Sequence, residues 1–226
     1  MTKLNSELIA RTALDLLNEV GLDGLTMRLL AKELGVQAAA LYWHLKNKQE
    51  LLDEMAAIMF HELSDGLEAP RKGVDWADWI ADGIRAMRRN MLRYRDGAKV
   101  YAGTHLAARE LPRSLELIMA TMVDAGFSVR DAARGYPALY HYAIGFTIEE
   151  QARSGADYHD RNPYQTAELT ENVDGQRFPL AAQAVDDLFD ADADAGFEDG
   201  LQVILAGLRA RYLDQAAATP LDGAKP

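Results

Sequence analysis

The chain has 226 residues, of which 49% are hydrophobic, and it contains no cysteine. This length allows one large domain or a small domain joined to a larger one, and the absence of cysteine excludes disulfides and thiolate metal sites. The formal net charge of −11 argues against broad, non-specific binding to nucleic acids.

Charge is distributed unevenly along the chain. Residues 1–48 carry a formal charge of +1, so the remaining 178 residues carry −12. Only the near-neutral N-terminal part is suited to binding the phosphates of a nucleic acid, although an acidic surface elsewhere could simply aid solubility.

The first residues lack an apolar signal core, and no segment approaches the roughly 20 apolar residues of a membrane helix. We therefore expect a cytoplasmic protein that makes no contact with a membrane.

Hydrophobic spacing predicts an all-α fold that begins with two helices. Apolar residues recur at helical spacing from Ile9 to Val20, and Gly21 ends the first helix. Thr26 is the predicted N-cap of a second, short helix over residues 27–34.

A tight turn is predicted directly after the second helix. Gly35 suits the left-handed backbone that ends many helices, and Val36 begins the turn. A third helix is predicted over residues 37–45, with Leu41 and Leu45 on its inner face, and Trp43 is expected to pack against the first helix. Two short helices joined by a tight turn containing glycine form a helix-turn-helix, whose second helix enters the major groove of DNA.

The rest of the chain is predicted to be helical as well. A fourth helix begins near Lys48 and is long enough to leave the head and enter the body. After a linker over residues 66–73, helices are predicted over residues 76–94, 112–126, 129–154 (interrupted by Pro137), 179–190 and 197–213. Residues 154–178 are polar and rich in turn formers, which predicts a mobile loop. Residues from Gln215 onward are expected to be frayed.

Residues 13–56, "ALDLLNEVGLDGLTMRLLAKELGVQAAALYWHLKNKQELLDEMA", resemble the DNA-binding head of the TetR family of bacterial repressors. The body segments "YRDGAKVYAGT", "AIGFTIEEQ" and "GLQVILAGL" resemble the tetracycline-repressor subclass of that family. The resemblance implies an all-α homodimer that binds a palindromic operator and is released when a small-molecule effector binds in each body. The implied organisation is a head over residues 1–47, a connecting helix over 48–66, and an effector-binding and dimerisation domain over 67–226.

The resemblance and the helix pattern together indicate which residues of this chain bind DNA. Arg28 matches the arginine that the subclass uses on a guanine, and Lys48 adds charge at a helix N-terminus, where backbone N–H groups favour an anion. Three alanines stand where the subclass has Gln-Pro-Thr. Alanine permits close approach and can touch a thymine methyl, so we expect a different operator. The full set is Thr26, Arg28, Gln37, Ala38, Ala39, Ala40, Tyr42, Trp43, His44 and Lys48.

The effector pocket should be mostly apolar with a few polar anchors. The candidates near the matching segments are Met87, Tyr101, Thr104, His105, Met122, Tyr140, His141 and Glu149. Plain core packing remains an alternative for the two methionines, as does dimer packing for Tyr140 and a satisfied interior position for His141. His61, which stands near the position of a ring-contacting histidine in the subclass, could face solvent.

Tyr101 stands where the subclass has a histidine that binds magnesium. A phenol is a poor ligand for Mg²⁺, and Glu149 alone does not make a metal site. We therefore expect no cofactor and no metal, and an effector that is an aromatic or polyketide-like compound rather than a magnesium–tetracycline chelate. One alternative is a tetracycline-responsive repressor of an efflux gene. Another is a helical small-molecule carrier or an enzyme with a structural head, but the chain has no zinc-protease, phosphate-loop or nucleophile-elbow motif.

Overall fold

The computed structural model describes residues 4–154, 173–188 and 192–214, and every regular element in those ranges is a helix. The N-terminal part holds α1 (Ser6–Gly24), α2 (Met27–Glu33), α3 (Ala38–Leu41) and α4 (Lys48–Ser64). The body holds α5 (Trp76–Leu92), α6 (Gly97–Tyr101), α7 (Leu111–Asp124), α8 (Val129–Arg153), α9 (Pro179–Leu188) and α10 (Ala193–Arg209), followed by a π-helical turn (Ala210–Asp214). The all-α prediction is confirmed.

The head is a small three-helix unit around fully buried leucines. Asn5 caps α1 by accepting a hydrogen bond from Leu8 N, at 2.8 Å between Oδ1 and N. The buried face of α1 meets leucines from α2, α3 and the connecting turns, which are Leu25, Leu30, Leu41 and Leu45. Gly21 has a φ of +69°, so α1 kinks there before its last residues, which is the break that the sequence predicts.

The connecting helix α4 belongs to both parts of the molecule. Asn47 caps its first turn by accepting from Glu50 N at 2.9 Å. Leu51 is buried near the start of α4, which packs along α1, and Met55 and Met59 are fully buried farther along. The same helix packs against α5 and α6, so a tilt of α4 would move the head relative to the body.

Helix α8 is the central element of the body and packs against α5, α6, α7 and α10. The predicted interruption at Pro137 is wrong, because α8 runs unbroken from Val129 to Arg153 with the proline inside it. Pro137 cannot donate one of the backbone hydrogen bonds of α8, and packing against neighbouring helices on several sides compensates for this loss.

An ion-pair network ties three helices of the body together. Arg88 on α5 is only 7% exposed. Its Nε and Nη2 donate to the two carboxylate oxygens of Glu150 on α8 at 2.8 and 2.7 Å, and Nη1 donates to Asp194 on α10 at 2.7 Å. The guanidinium lies 4.8 Å from the ring centroid of Phe197.

Several predicted boundaries need correction. α3 ends at Leu41, not Leu45, and a turn follows in which His44 N and Leu45 N both donate to Leu41 O at 2.9 Å. α10 begins four residues before Phe197, because Asp192 caps it by accepting from Ala195 N at 3.0 Å. The predicted loop lies largely outside the described residues, as does the segment from Gln215 onward. Within the described ranges, no helix combines the length and apolar character needed to cross a membrane.

Candidate DNA-binding surface and effector cavity

The turn between α2 and α3 is built by a glycine and two backbone hydrogen bonds. Gly35 has a φ of +65°, a left-handed conformation that costs a glycine little. Gly35 N donates to Lys32 O at 3.1 Å and Val36 N donates to Ala31 O at 3.0 Å, which ends α2 and redirects the chain. At the other end of α2, Thr26 Oγ1 accepts from Leu29 N at 3.2 Å, as its predicted N-cap role requires.

The predicted DNA-binding residues are accessible in the structure. None of the ten is buried, and only Ala38 and Ala40 are partly covered. The buried side chains of Leu41 and Leu45 anchor the segment between them, which leaves Tyr42 and His44 exposed.

Trp43 is 88% exposed, so the expectation that it packs against α1 is wrong. The early end of α3 explains the difference, because the turn after Leu41 carries the indole away from the leucine core. A tryptophan left in water on the face of a helix-turn-helix has a large surface available for a nucleic acid. Lys48 is exposed as well, and its Nζ donates to Leu22 O at 3.0 Å.

The body contains a cavity of about 680 Å³ among α4, α5, α7 and α8, within the volume range of small-molecule sites. Its wall is largely aromatic and aliphatic. The residues that define it best are Phe60, Leu63, Trp79, Ile80, Ile84, Met87, Tyr101, Leu106, Leu115, Ile118, Tyr136 and Tyr140. Polar contributions come from Ser64, Glu68, Asp82, Ser114 and His141.

The cavity brings together four of the eight predicted effector residues, namely Met87, Tyr101, Tyr140 and His141. His141 is exposed, and its ring lies edge-on to that of Tyr140 with centroids 5.6 Å apart. The other four residues do not line the cavity. Thr104 donates from Oγ1 to Tyr101 O at 3.0 Å, His105 and Glu149 are exposed, and Met122 is fully buried in the core.

Further cavity residues, including Phe60, Ser64, Trp79, Ser114 and Tyr136, were not identified from the sequence. Tyr136 could have been found, because it lies one helical turn before Tyr140 and shares its face. The others give no signal that separates a cavity wall from ordinary core. His61 faces solvent, and its Nδ1 lies 3.0 Å from Glu110 Oε1.

The side chains present do not fit a magnesium site. Tyr101 is 3% exposed, and burial, reinforced by the neighbouring Tyr140, raises the pKa of its phenol above the usual range. The oxygen therefore keeps its proton at neutral pH and offers no anionic ligand. Glu149 lies outside the cavity wall, and among the described residues no three His, Asp or Glu side chains come together as a metal site would require.

Both parts of the chain match known sequence profiles. Residues 9–55 match the profile described as "Bacterial regulatory proteins, tetR family" and residues 69–212 match "Tetracyclin repressor-like, C-terminal domain". The chain is also similar to a tetracycline repressor protein of class A from transposon 1721 of Escherichia coli. The two are 39% identical over 213 residues, which cover 94% of each chain.

Two solved structures from Streptomyces coelicolor share this fold. A possible TetR family transcriptional regulator superposes with a TM-score of 0.81 at 39% identity, covering 91% of this chain and 99% of the other. ActR, in complex with actinorhodin, superposes with a TM-score of 0.80 at 29% identity, covering 95% of this chain and 100% of the other.

Proposed function

The chain belongs to the TetR family of bacterial regulatory proteins, and we propose that it reads a palindromic operator with its helix-turn-helix and binds an aromatic effector without a metal ion. As a member of that family it is a ligand-responsive transcriptional repressor that binds DNA as a homodimer, and it is not an enzyme. That membership decides against the carrier and enzyme alternatives. We place its action in the cytoplasm, where a bacterial operator lies.

The proposed operator contacts come from the exposed set around α2 and α3. Arg28 reads a base edge, the alanines of α3 allow close approach, and Trp43, Tyr42 and Lys48 contact the DNA backbone. The exposure of these side chains supports the assignment, as does the burial of Leu41 and Leu45, which anchors α3 and the turn after it in the core of the head. We keep the division proposed from the sequence, with the head over residues 1–47, the connecting helix over 48–66 and the body over 67–226.

The effector site is the cavity of about 680 Å³, and the composition of its wall is the observation that carries the proposal. Aromatic and aliphatic side chains dominate the wall, which suits a largely apolar, aromatic effector. Tyr101 lies in the wall as a buried, neutral phenol. It stands where the tetracycline-repressor subclass has a magnesium-binding histidine, so this position offers no ligand for a magnesium–tetracycline chelate.

The route from cavity to head runs through α4 and α6. Phe60 on α4 and Tyr101 at the end of α6 both line the cavity, and α4 also packs along α1 of the head. A ligand can shift the head only by as much as it prefers the non-binding conformation, which is typically about 1–3 kcal/mol of coupling in allosteric proteins.

We assign dimerisation to α8 and α10. These helices pack on each other within the chain, and α10 leaves Val203 72% exposed, as expected of a face that a second copy would cover. A symmetric dimer then reads half-sites about 34–36 Å apart, or a multiple of that spacing.

The test is release from DNA, followed by fluorescence anisotropy of a labelled fragment from beside the protein's own gene. We expect the protein to bind this fragment, and a screen of aromatic compounds to find some that release it. Tyr140→Ala should abolish release because Tyr140 lines the cavity, whereas His105→Ala should leave it intact because His105 lies outside the wall. Equal loss in both variants, or in neither, would place the effector elsewhere.

A second candidate function is supported by sequence identity. The class A tetracycline repressor is 39% identical to this chain, so a tetracycline-responsive repressor of an efflux gene is the alternative. The two candidates differ in one measurable property, because only the chelate needs magnesium.

A further inference from the structure

The polar groups of the effector cavity are mainly hydroxyls. Tyr101, Ser114, Tyr136 and Tyr140 contribute four of them, from α6, α7 and α8. Among the described residues that line the cavity, none is a lysine or an arginine. A ligand inside therefore meets hydrogen-bond donors without positive charge, which favours carbonyl and hydroxyl oxygens over carboxylates.

Ser114 supplies the clearest unmet hydrogen bond at this wall. The residue is 4% exposed, and its Oγ has no hydrogen-bond partner in the part of the chain that the structure describes. Serine on a helix can often bond back to the carbonyl four residues earlier, and here it does not. A buried hydroxyl without a partner is costly, so a ligand oxygen at this position would gain affinity by supplying one.

Two phenols from the neighbouring helix α8 line the same cavity as Ser114. Tyr136 and Tyr140 are one turn apart on α8, and neither hydroxyl has a hydrogen-bond partner among the described residues. Burial, with a smaller contribution from Tyr140, raises the pKa of Tyr136 to about 12. Tyr101 lines the same cavity, but its hydroxyl already donates to Asn90 Oδ1 at 3.4 Å. Tyr136 and Tyr140 are therefore the two neutral phenols that can donate to a ligand oxygen.

The two carboxylates that line the cavity, among the described residues, are those of Glu68 and Asp82. Glu68 and Asp82 are exposed, and Arg85 offsets only part of this charge by donating from Nη1 to Asp82 Oδ1 at 2.8 Å. An anionic ligand would be repelled by these carboxylates and would lose its hydration among neutral hydroxyls. Both effects disfavour ligands that carry a carboxylate.

We propose that the effector is an uncharged aromatic compound bearing ring carbonyl or hydroxyl oxygens, and that Ser114, Tyr136 and Tyr140 determine its specificity by hydrogen bonding to those oxygens. This inference rests on the proposed function, because it assumes that the cavity binds the effector. It goes further by naming the groups on the ligand and the residues that recognise them.

The experiment measures binding of three planar probes to the full-length protein by quenching of tryptophan fluorescence, since Trp79 lines the cavity. The probes are 1,8-dihydroxyanthraquinone, anthraquinone-2-carboxylate and anthracene. We expect the dihydroxyanthraquinone to bind most tightly and the carboxylate to bind roughly tenfold more weakly or worse. Ser114→Ala, Tyr136→Phe and Tyr140→Phe should each weaken the dihydroxyanthraquinone about 3- to 10-fold and change anthracene by less than about twofold.

Tyr142→Phe is the matched control. Tyr142 lies on the same helix but outside the cavity wall, and its hydroxyl already donates to Phe197 O at 2.9 Å. It should leave binding of all three probes unchanged, and thermal melts of each variant will show whether the fold is intact. Because Tyr→Phe removes only an oxygen, a loss specific to the quinone reports the hydroxyl itself.

The possible failures are distinguishable. If the probes bind but the three variants treat dihydroxyanthraquinone as the wild type does, or the carboxylate binds as tightly as the uncharged quinone, the hydroxyl proposal is overturned and the cavity assignment stands. If none of the three planar probes binds, the proposed aromatic effector site fails together with this inference.

Discussion

The carboxylate of Asp96 accepts a hydrogen bond from the backbone N–H of Leu22, with 2.9 Å between Oδ2 and N. The bond joins the body to the head, because Asp96 directly precedes α6 and Leu22 follows the kink of α1. Nearby, Arg95 N donates to Asn18 Oδ1 at 2.8 Å. Tyr101, at the other end of α6, lines the cavity, so one short helix connects the proposed effector site with the head.

Asp96→Asn should lower the free energy of unfolding by about 1.5–3 kcal/mol at pH 7, the range for hydrogen bonds to charged groups. Asparagine is the appropriate replacement because Asp96 has a φ of +57°, a conformation that asparagine tolerates. Burial alone would raise the pKa of Asp96, but bonds from Lys99 and from Leu22 N lower it below the ordinary value of 3.8. The ionised form is therefore the one that the native state stabilises.

The stability that ionised Asp96 contributes to the folded state is present above pH 3.8, and it is lost as the pH falls through the lowered pKa of the folded state. Urea unfolding at pH 7 and near pH 3 should therefore show a gap between wild type and Asp96→Asn that narrows in acid. Asp65→Asn serves as the control, because Asp65 is exposed at the end of α4. A gap that stays constant with pH would show that the charge of Asp96 is not involved.

Trp43→Ala should weaken operator binding while leaving the fold intact. The indole is 88% exposed, so its removal should change the unfolding free energy by no more than about 0.5 kcal/mol. Leu41→Ala, two residues earlier and fully buried, should instead cost about 2–5 kcal/mol. Chemical denaturation and gel shifts on the same preparations separate the two effects. Normal DNA affinity of Trp43→Ala would remove this residue from the proposed interface.

Arg28→Ala and Lys48→Ala should damage DNA binding in different ways. Arg28→Ala should cost roughly 1–3 kcal/mol and relax the preference at one base pair, because the role proposed for this arginine is contact with a base edge. Lys48→Ala should weaken all sequences alike and lower the slope of log affinity against log salt by about one. Salt titrations on matched and scrambled operators test both roles. If the two variants behave identically on both DNAs, the roles are wrongly assigned.

Val203→Glu should shift the protein from dimer to monomer. Val203 is 72% exposed on α10, so a charge there is harmless in the monomer but must be buried if this face meets a second copy. Val74→Glu is the control, since Val74 is also an exposed valine but precedes α5. Sedimentation velocity gives the answer, and a Val203→Glu variant that remains fully dimeric would move the interface to another surface.

The helix-turn-helix was predictable from local signals, because Thr26, Gly35 and the Leu41–Leu45 pair each act within a few residues of the chain. The exposure of Trp43 was not predictable, since it depends on where α3 ends, and the end of α3 is set by a backbone turn. In the body, the aromatic residues of α8 indicated a cavity from the sequence alone. Trp79 on α5 and Ser114 on α7 line it only because these helices pack against α8. Long-range packing of this kind leaves no local pattern in a single sequence.

The most direct test of the central claim is whether effector release depends on magnesium. Anisotropy of operator DNA would be followed while anhydrotetracycline, or an uncharged aromatic effector found in the screen, is titrated with excess EDTA and then with excess Mg²⁺. We predict that the aromatic effector releases the DNA equally under both conditions, and that Tyr140→Ala abolishes this release. Release by the tetracycline alone, lost in EDTA and restored by Mg²⁺, would contradict the account.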